Sequence, residues 1–350
     1  MPPMKALLLS EYRRLEIADL PAPAAGPGQV LVRVAACGIC GSDVHGYDGS
    51  TGRRIPPIVM GHEAAGTVTA VGAGVTKFSP GERVSFDSTV SCGECRYCRK
   101  GQINLCNRRQ VLGVSCGDYR CAGAFAEYVV VPEHIVCRLP DNLSFSEAAM
   151  LEAVAVALHG VSLSKAAAGD TALVVGAGMI GLLTMQSLRA AGCERVFIAD
   201  IDGSRLTLAK AVGATETLQA SGKDLLAEVL RLTGGEGADV AIEAVGIDAT
   251  VRGAIDCVRK GGTVVLVGNV TPEVTLPLQK VVTRQIRLQG SCASEDEFGR
   301  GIELVASGAI QVKPLITAVA PLEEGPRWFE RLYAREPNLM KVVLSPEMSS

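Results

Sequence analysis

No run of about 20 apolar residues occurs anywhere in this 350-residue chain, so no membrane-spanning helix is expected. A signal peptide is equally unexpected, because the apolar run of Met1-Pro2-Pro3-Met4-Lys5-Ala6-Leu7-Leu8-Leu9-Ser10 is short and meets Glu11 at once. Charge of one sign is missing too. With 34 basic and 37 acidic residues the net charge is −3, which gives no electrostatic case for a nucleic-acid partner. Arg96, Arg99, Lys100, Arg108 and Arg109 do cluster, but around a cysteine loop, and they read as a solvated face. There is no internal repeat and no low-complexity tail, and histidine is scarce at 4 residues. Cysteine, by contrast, is plentiful. Twelve cysteines without a secretory signal point to thiols and metal ligands in a reducing compartment, the cytoplasm by default. The length, with 48% hydrophobic and 20% charged residues, predicts a soluble globular protein of two domains.

In the first 150 residues, short β-branched runs alternate with turns. Leu15–Leu20, Gln29–Val34, Ala65–Gly72 and Arg83–Phe86 read as strands, separated by turns such as Gly26-Pro27-Gly28 and Ser79-Pro80-Gly81-Glu82. The pattern predicts a small, strongly bent β-barrel. Within it, Cys92, Cys95, Cys98 and Cys106 supply two consecutive Cys-x-x-Cys steps and a fourth thiol seven residues on. Four thiolates in one local loop suit a closed tetrahedral structural zinc. The spacing fits neither common iron–sulfur pattern. Such a site would hold together a lobe whose own sequence cannot build a core.

A second group of ligand types is dispersed. Cys40 stands in Cys37-Gly38-Ile39-Cys40-Gly41-Ser42-Asp43-Val44-His45, and His62 in Gly61-His62-Glu63. A buried apolar thiol and a satisfied core histidine are the competing readings. Two of only 4 histidines beside Cys40 and Glu63 favour a metal site.

From Asp170 the pattern changes. Thr171–Val175 is a continuous apolar strand, followed by Gly176-Ala177-Gly178-Met179-Ile180-Gly181, a helical run over Leu182–Ala191, and Arg195–Ala199 ending at Asp200. A G-x-G-x-x-G alone is weak. Here it follows a strand, opens a helix, and has an acid at the end of the next strand, as a dinucleotide fingerprint requires. The glycines let the backbone approach a pyrophosphate drawn to the helix N-terminus. Asp200 would accept the ribose hydroxyls and repel a 2′-phosphate, favouring NAD over NADP, with Arg205 a nearby cation that could tolerate the phosphate. Strands over Ala238–Glu243, Thr263–Gly268 and Ile286–Gly290 alternate with helices around Arg205–Val212, Lys223–Leu232 and Ala249–Val258, predicting a doubly wound parallel sheet. The last segment, with a helix over Glu297–Ala306 and a strand over Lys341–Leu344, is left open to either domain.

Taken together and in this order, the cysteine loop, the glycine-rich turn and Gly61-His62-Glu63 make the chain resemble the zinc-dependent medium-chain alcohol dehydrogenases, closest to their sorbitol and threonine dehydrogenase branch. The resemblance runs over essentially the whole chain. It implies an α/β protein with a GroES-like β-barrel catalytic domain over residues 1–157 that carries the structural zinc lobe. A Rossmann NAD-binding domain would span 158–293, a return to the catalytic domain 294–350, and the active site would lie in the cleft between the domains. It implies two zincs per chain, the catalytic one held by Cys40, His62 and Glu152, with Glu63 a movable fourth ligand or a group just behind the metal. Ser42 matches the hydroxyl of a proton relay, His45 its base, and Asp43 an orienter of His62. Gly176, Gly178, Met179, Ile180, Gly181, Asp200, Arg205, Val245, Val267 and Gly268 would contact NAD, and the nicotinamide would lie near Val267 and Gly268. The family suggests a homodimer or homotetramer paired through the sheet edges.

Two departures qualify the substrate. Ala153 stands where the branch usually has proline, which would loosen a turn. Gly46-Tyr47 and Gly290–Ser294 replace, respectively, a Tyr-Trp pair and an arginine-bearing segment of sorbitol-specific members, which argues against sorbitol itself. The expected activity is oxidation of a polyol or vicinal diol. A threonine-type amino alcohol, a sugar-alcohol phosphate and a non-enzymatic binding module are the competitors. Tyr47, Tyr119, Glu297 and Phe298 are candidate pocket-lining groups.

Overall fold

Strand Gln29–Gly38 carries the first half of the molecule, because apolar side chains on both of its faces are buried. A computed structural model describes residues 3–221 and 224–348. In it, this strand pairs antiparallel with Glu63–Val71, Tyr128–Pro132 and Lys341–Ser345. The seven-stranded sheet runs Val136–Arg138, Arg83–Phe86, Glu63–Val71, Gln29–Gly38, Lys341–Ser345, Ile316–Pro321, with Tyr128–Pro132 joined to Gln29–Gly38. The C-terminal strand therefore lies inside this sheet. The opening apolar run is strand Pro3–Glu11, for which no strand was expected, paired along its length with Arg14–Pro21. The barrel core gathers Leu7, Leu9, Val32, Phe86, Phe125 and Phe329.

Helix α1 (Gly41–Tyr47) follows Gln29–Gly38 directly, with Cys40 at its N-cap. The short α2 (Phe145–Ala148) starts from a Ser144–Glu147 capping box, and α3 (Leu151–Ser164) starts three residues later. Ala153 lies inside α3, so no turn exists there for it to loosen. The chain divides into two units, Met1–Glu152 with Phe298–Ala306 and Leu315–Ser350, and Ala153–Glu297 with Ser307–Pro314.

The second unit is a six-stranded, all-parallel sheet in the order Glu216–Gln219, Arg195–Asp200, Thr171–Val175, Ala238–Glu243, Val258–Leu266, Arg287–Gly290. Its central strands are buried on both faces, as continuous apolar runs under flanking helices must be. The strand order reverses between Thr171–Val175 and Ala238–Glu243, and such a switch point opens a crevice beyond the strands' C-terminal ends. Helix α4 (Met179–Ala190) starts at that end of Thr171–Val175. The helix expected over Lys223–Leu232 spans Leu225–Leu232, and Lys223 lies outside the described residues. Among the described residues no helix is long and apolar enough to cross a membrane.

Candidate metal and cofactor sites

The cysteine lobe has almost no core of its own: between residues 91 and 110 only Asn104 and Cys106 are buried. Cys92, Cys95, Cys98 and Cys106 place their sulfurs within 4.8 Å of one another. The Cys92–Cys98 and Cys95–Cys98 separations are 3.9 and 3.5 Å. A disulfide needs about 2.05 Å, whereas a tetrahedron of Zn–S bonds of about 2.3 Å has sulfur edges of about 3.8 Å. Backbone N–H groups of Cys92 and Arg108 donate to Cys106 Sγ, each at 3.3 Å. The Glu94 N–H and the Arg108 guanidinium hold the Cys92 thiol down to about 6. The loop favours thiolates, and a closed zinc site fits it.

Around α1 a different set converges. Cys40, His62 and Glu63 bring their ligand atoms within 4.8 Å of one another. They come from the helix N-cap and from the start of strand Glu63–Val71, neighbours because Gly38 pairs with Glu63. Glu152, in the first turn of α3, is not one of that close trio. Its Oε1 accepts from Ser88 Oγ at 3.2 Å, and burial with the charges of Glu63 and Asp87 pushes it up to about 7. Asp43 is fully buried and sits behind His62, Oδ1 to Nδ1 3.4 Å. Burial works against His62 carrying charge, yet Asp43 and Cys40 drive its pKa well above the ordinary value. A thiol, an imidazole and two carboxyl groups in a pocket of that potential fit a dication such as zinc.

Two residues of this site escaped the sequence reading. Lys341 is 3% exposed and its Nζ donates to Ile39 O at 3.1 Å and to Glu63 Oε2 at 2.5 Å. Burial pulls its pKa down, but Glu63 and Cys40 outweigh it and leave it raised. Arg54 is also buried, and bonds Asp43 through Nε and an η-nitrogen. Lys341 is a cation heading an apolar strand, which was the one available signal. Arg54 sits in a turn-rich loop and gave none. Ser42 and His45 occupy the exposed side of α1. Tyr47 is buried, its ring against Phe329 and Tyr333 and its hydroxyl donating to Arg13 O, so it belongs to the core rather than a pocket wall. Tyr119 hydroxyl accepts from Val111 N, Phe298 is buried, and Glu297 pairs with His159 Nδ1 at 2.8 Å.

In the second unit, Gly176, Val245 and Gly268 meet at one end of the sheet. A Cβ on Gly176 would lie 2.5 Å from Val245, and one on Gly268 would collide with Val245 and Gly246. Val267 and Gly268 donate their N–H groups to Glu243 O, which fixes both beside the same turn. A Cβ on Gly181 would strike Gly176 O, whereas one on Gly178 would project into open space. That space lies at the N-terminus of α4, flanked by partly exposed Met179 and Ile180, and is a cradle that a pyrophosphate fits. Asp200 is buried at the end of its strand and accepts Ala177 N at 2.6 Å and Asp202 N at 2.9 Å. Arg205 is exposed, with Nε 3.7 Å from Asp202.

Comparison with known proteins agrees with this geometry. Residues 26–141 match the alcohol dehydrogenase GroES-like domain and residues 180–307 the zinc-binding dehydrogenase domain. The sorbitol dehydrogenase of Bacillus subtilis (strain 168) is 34% identical over 98% of this chain and 97% of its own. The L-idonate 5-dehydrogenase of Vitis vinifera is 36% identical over 90% of this chain and 86% of its own. A zinc-binding dehydrogenase from Sinorhizobium meliloti 1021, solved bound to NADP, superposes with a TM-score of 0.90 at 34% identity, covering 99% of this chain and 100% of that one. The chain belongs to the zinc-dependent medium-chain alcohol dehydrogenase family, in its polyol dehydrogenase branch, and is an oxidoreductase that works with zinc and NAD(P).

Proposed function

We propose that this enzyme oxidises a secondary alcohol of a polyol or vicinal diol to the ketone, with NAD as the hydride acceptor. The observation that carries the reading is the convergence of Cys40, His62 and Glu63 within 4.8 Å, with Glu152 beside them. Bound at Cys40, His62 and Glu152, zinc would lower the pKa of the substrate hydroxyl. Glu63 has a buried cation of its own in Lys341, so it can stay behind the ligand set or approach it. Asp43 holds His62 in one orientation, leaving Nε2 for the metal. Ser42 takes the substrate's proton and His45 passes it to solvent; NAD, held at the Gly178 turn and Asp200, would supply the hydride acceptor. A cavity of about 440 Å³ adjoins this relay, lined by Gly41, His45, Asp48, Tyr333 and Arg335 among others. Its hydroxyl and carboxylate groups suit a chain of further alcohol functions.

NAD is favoured over NADP because Asp200, a carboxylate at the end of the strand after the glycine-rich turn, would accept ribose hydroxyls and repel a 2′-phosphate. None of the twelve cysteines is joined in a disulfide, which supports a reducing, cytoplasmic setting. A homodimer or homotetramer would cover Val270, Leu278 and Val282, which are 55%, 67% and 68% exposed near the edge strand Arg287–Gly290.

The test is NAD⁺ reduction by purified enzyme over sorbitol, xylitol, galactitol, 2,3-butanediol, threonine, ethanol and a hexitol phosphate, with NADP⁺ in parallel. Turnover with a polyol or diol and NAD⁺ is the expected result. Silence on these with turnover of threonine overturns the substrate class, and equal rates with NADP⁺ overturn the cofactor preference.

A further inference from the structure

Arg54 is 4% exposed, and its head group is fully engaged. Nε and one η-nitrogen donate to Asp43 Oδ1 at 3.3 and 3.0 Å. The other η-nitrogen donates to Arg53 O at 3.1 Å. These contacts account for the buried charge of Asp43, whose pKa is held below the carboxylate range by His62 and Arg54 against the opposing pull of burial. One contact remains that charge balance does not require: the η-nitrogen that meets Asp43 also donates to Ser42 Oγ at 3.3 Å.

The sequence makes room for it. Gly46 lies one helical turn after Ser42 on the same face of α1, and a Cβ there would collide with the Arg54 stem. The absence of a side chain at Gly46 therefore lets Arg54 cross α1 and reach both Ser42 and Asp43.

A guanidinium has five N–H donors, no acceptor, and keeps its proton in proteins. Ser42 Oγ must therefore accept at this contact, and its own proton must point elsewhere. We propose that Arg54 is a positioning residue of the proton relay, acting through Ser42. With one lone pair of Oγ taken by Arg54, the other faces the substrate hydroxyl, and the serine proton is directed onward toward His45 and solvent. The transfer balances without redox change: the substrate O–H bond breaks as a new O–H forms on Ser42, while Ser42's original proton departs to the next acceptor. The inference rests on the role given to Ser42 above.

A purely structural role, through Asp43 alone, makes a different prediction, and a double-mutant cycle separates the two. Arg54→Lys keeps a cation for Asp43 but loses the fork that serves both oxygens. In zinc-loaded enzyme, with NAD⁺ and whichever alcohol of the panel turns over fastest, Arg54→Lys should lower kcat by about tenfold or more, with zinc content and the KM for NAD⁺ little changed. In a Ser42→Ala background the same substitution should change kcat by less than about twofold. An equal loss in both backgrounds, or full kcat in Arg54→Lys, overturns the proposal. Where Arg54→Lys fails to fold, Gly46→Ala displaces the arginine stem while keeping both charges, and enters the same cycle. Proton release on mixing enzyme and NAD⁺ with 2,2,2-trifluoroethanol, followed with a pH indicator, reads the relay without hydride transfer. It should slow in Arg54→Lys and slow no further in the double variant. An unmutated enzyme silent on the panel but normal in proton release overturns the substrate reading alone, and the proton-release cycle then decides Arg54.

Discussion

The proposed ligands Cys40 and Glu152 come from distant parts of the chain, one from a helix cap and one from the first turn of a helix more than a hundred residues later. Both Cys40→Ser and Glu152→Ala should lower turnover by at least about a hundredfold, since changing a group that only hydrogen-bonds to a metal ligand already costs about 10- to 100-fold. Affinity for NAD, read by fluorescence titration, should stay near the unmutated value. Near-normal activity in either variant removes that residue from the ligand set. Lys341 calls for a different measurement. Replacing it by methionine strands Glu63, 1% exposed, without its cation, and breaking a buried pair costs about 3–5 kcal/mol. The denaturation midpoint should fall clearly, and an unchanged midpoint would mean that Glu63 finds another partner. Cys40 and His62 were legible in the sequence because histidine is rare and each lies in a short motif. Glu152 was proposed only through the family. Lys341 and Arg54 were not, because their meaning lies in partners 278 and 11 residues away that no local pattern connects.

At the scale of elements, the convergence of the four cysteines and the position of the glycine turn at a helix start were legible from spacing, because each is one continuous stretch whose geometry is set locally. The lobe's dependence on metal follows from its lack of a core. Cys95→Ser should reduce bound zinc from about two to about one per chain by elemental analysis, and the loop bearing Arg96 and Arg99 should become a trypsin site. Two zincs retained would place the structural metal elsewhere. The turn yields a paired prediction. Gly178→Ala should fold normally yet lose at least about tenfold in NAD affinity, because its methyl enters only the cradle. Gly181→Ala should lose stability as well, since its methyl strikes Gly176 O. Normal NAD binding by Gly178→Ala would remove the pyrophosphate from that turn. Strand Pro3–Glu11 was missed because its Ala6–Leu9 core is a continuous apolar run, and periodicity cannot assign such a run.

At the scale of the whole molecule, strand–helix alternation after Asp170 revealed the parallel sheet, since each apolar strand is a local signal. The full strand order of the first sheet was not revealed, because one partner of Gln29–Gly38 arrives about three hundred residues later. The exposed apolar residues beside the edge strand carry the prediction at this scale. Leu278→Glu with Val282→Glu should shift sedimentation toward a monomer while leaving the zinc count unchanged, and unaltered sedimentation would move the subunit interface to another face.

The late arrival of strand Lys341–Ser345 also bears on biosynthesis. A ribosome releases every residue of the parallel-sheet unit before it releases the strand that lies inside the barrel sheet, so the first unit to be translated is the last able to finish folding. Until then Gln29–Gly38 exposes an unpaired edge segment at Cys37 and Gly38, and Glu63 waits without its lysine. Nascent chains stalled before residue 341 should therefore engage chaperones through their N-terminal rather than their central segment. A truncation of only the last ten residues would remove an interior strand of the sheet and the cation beside the metal ligands, where a loose tail would have cost nothing.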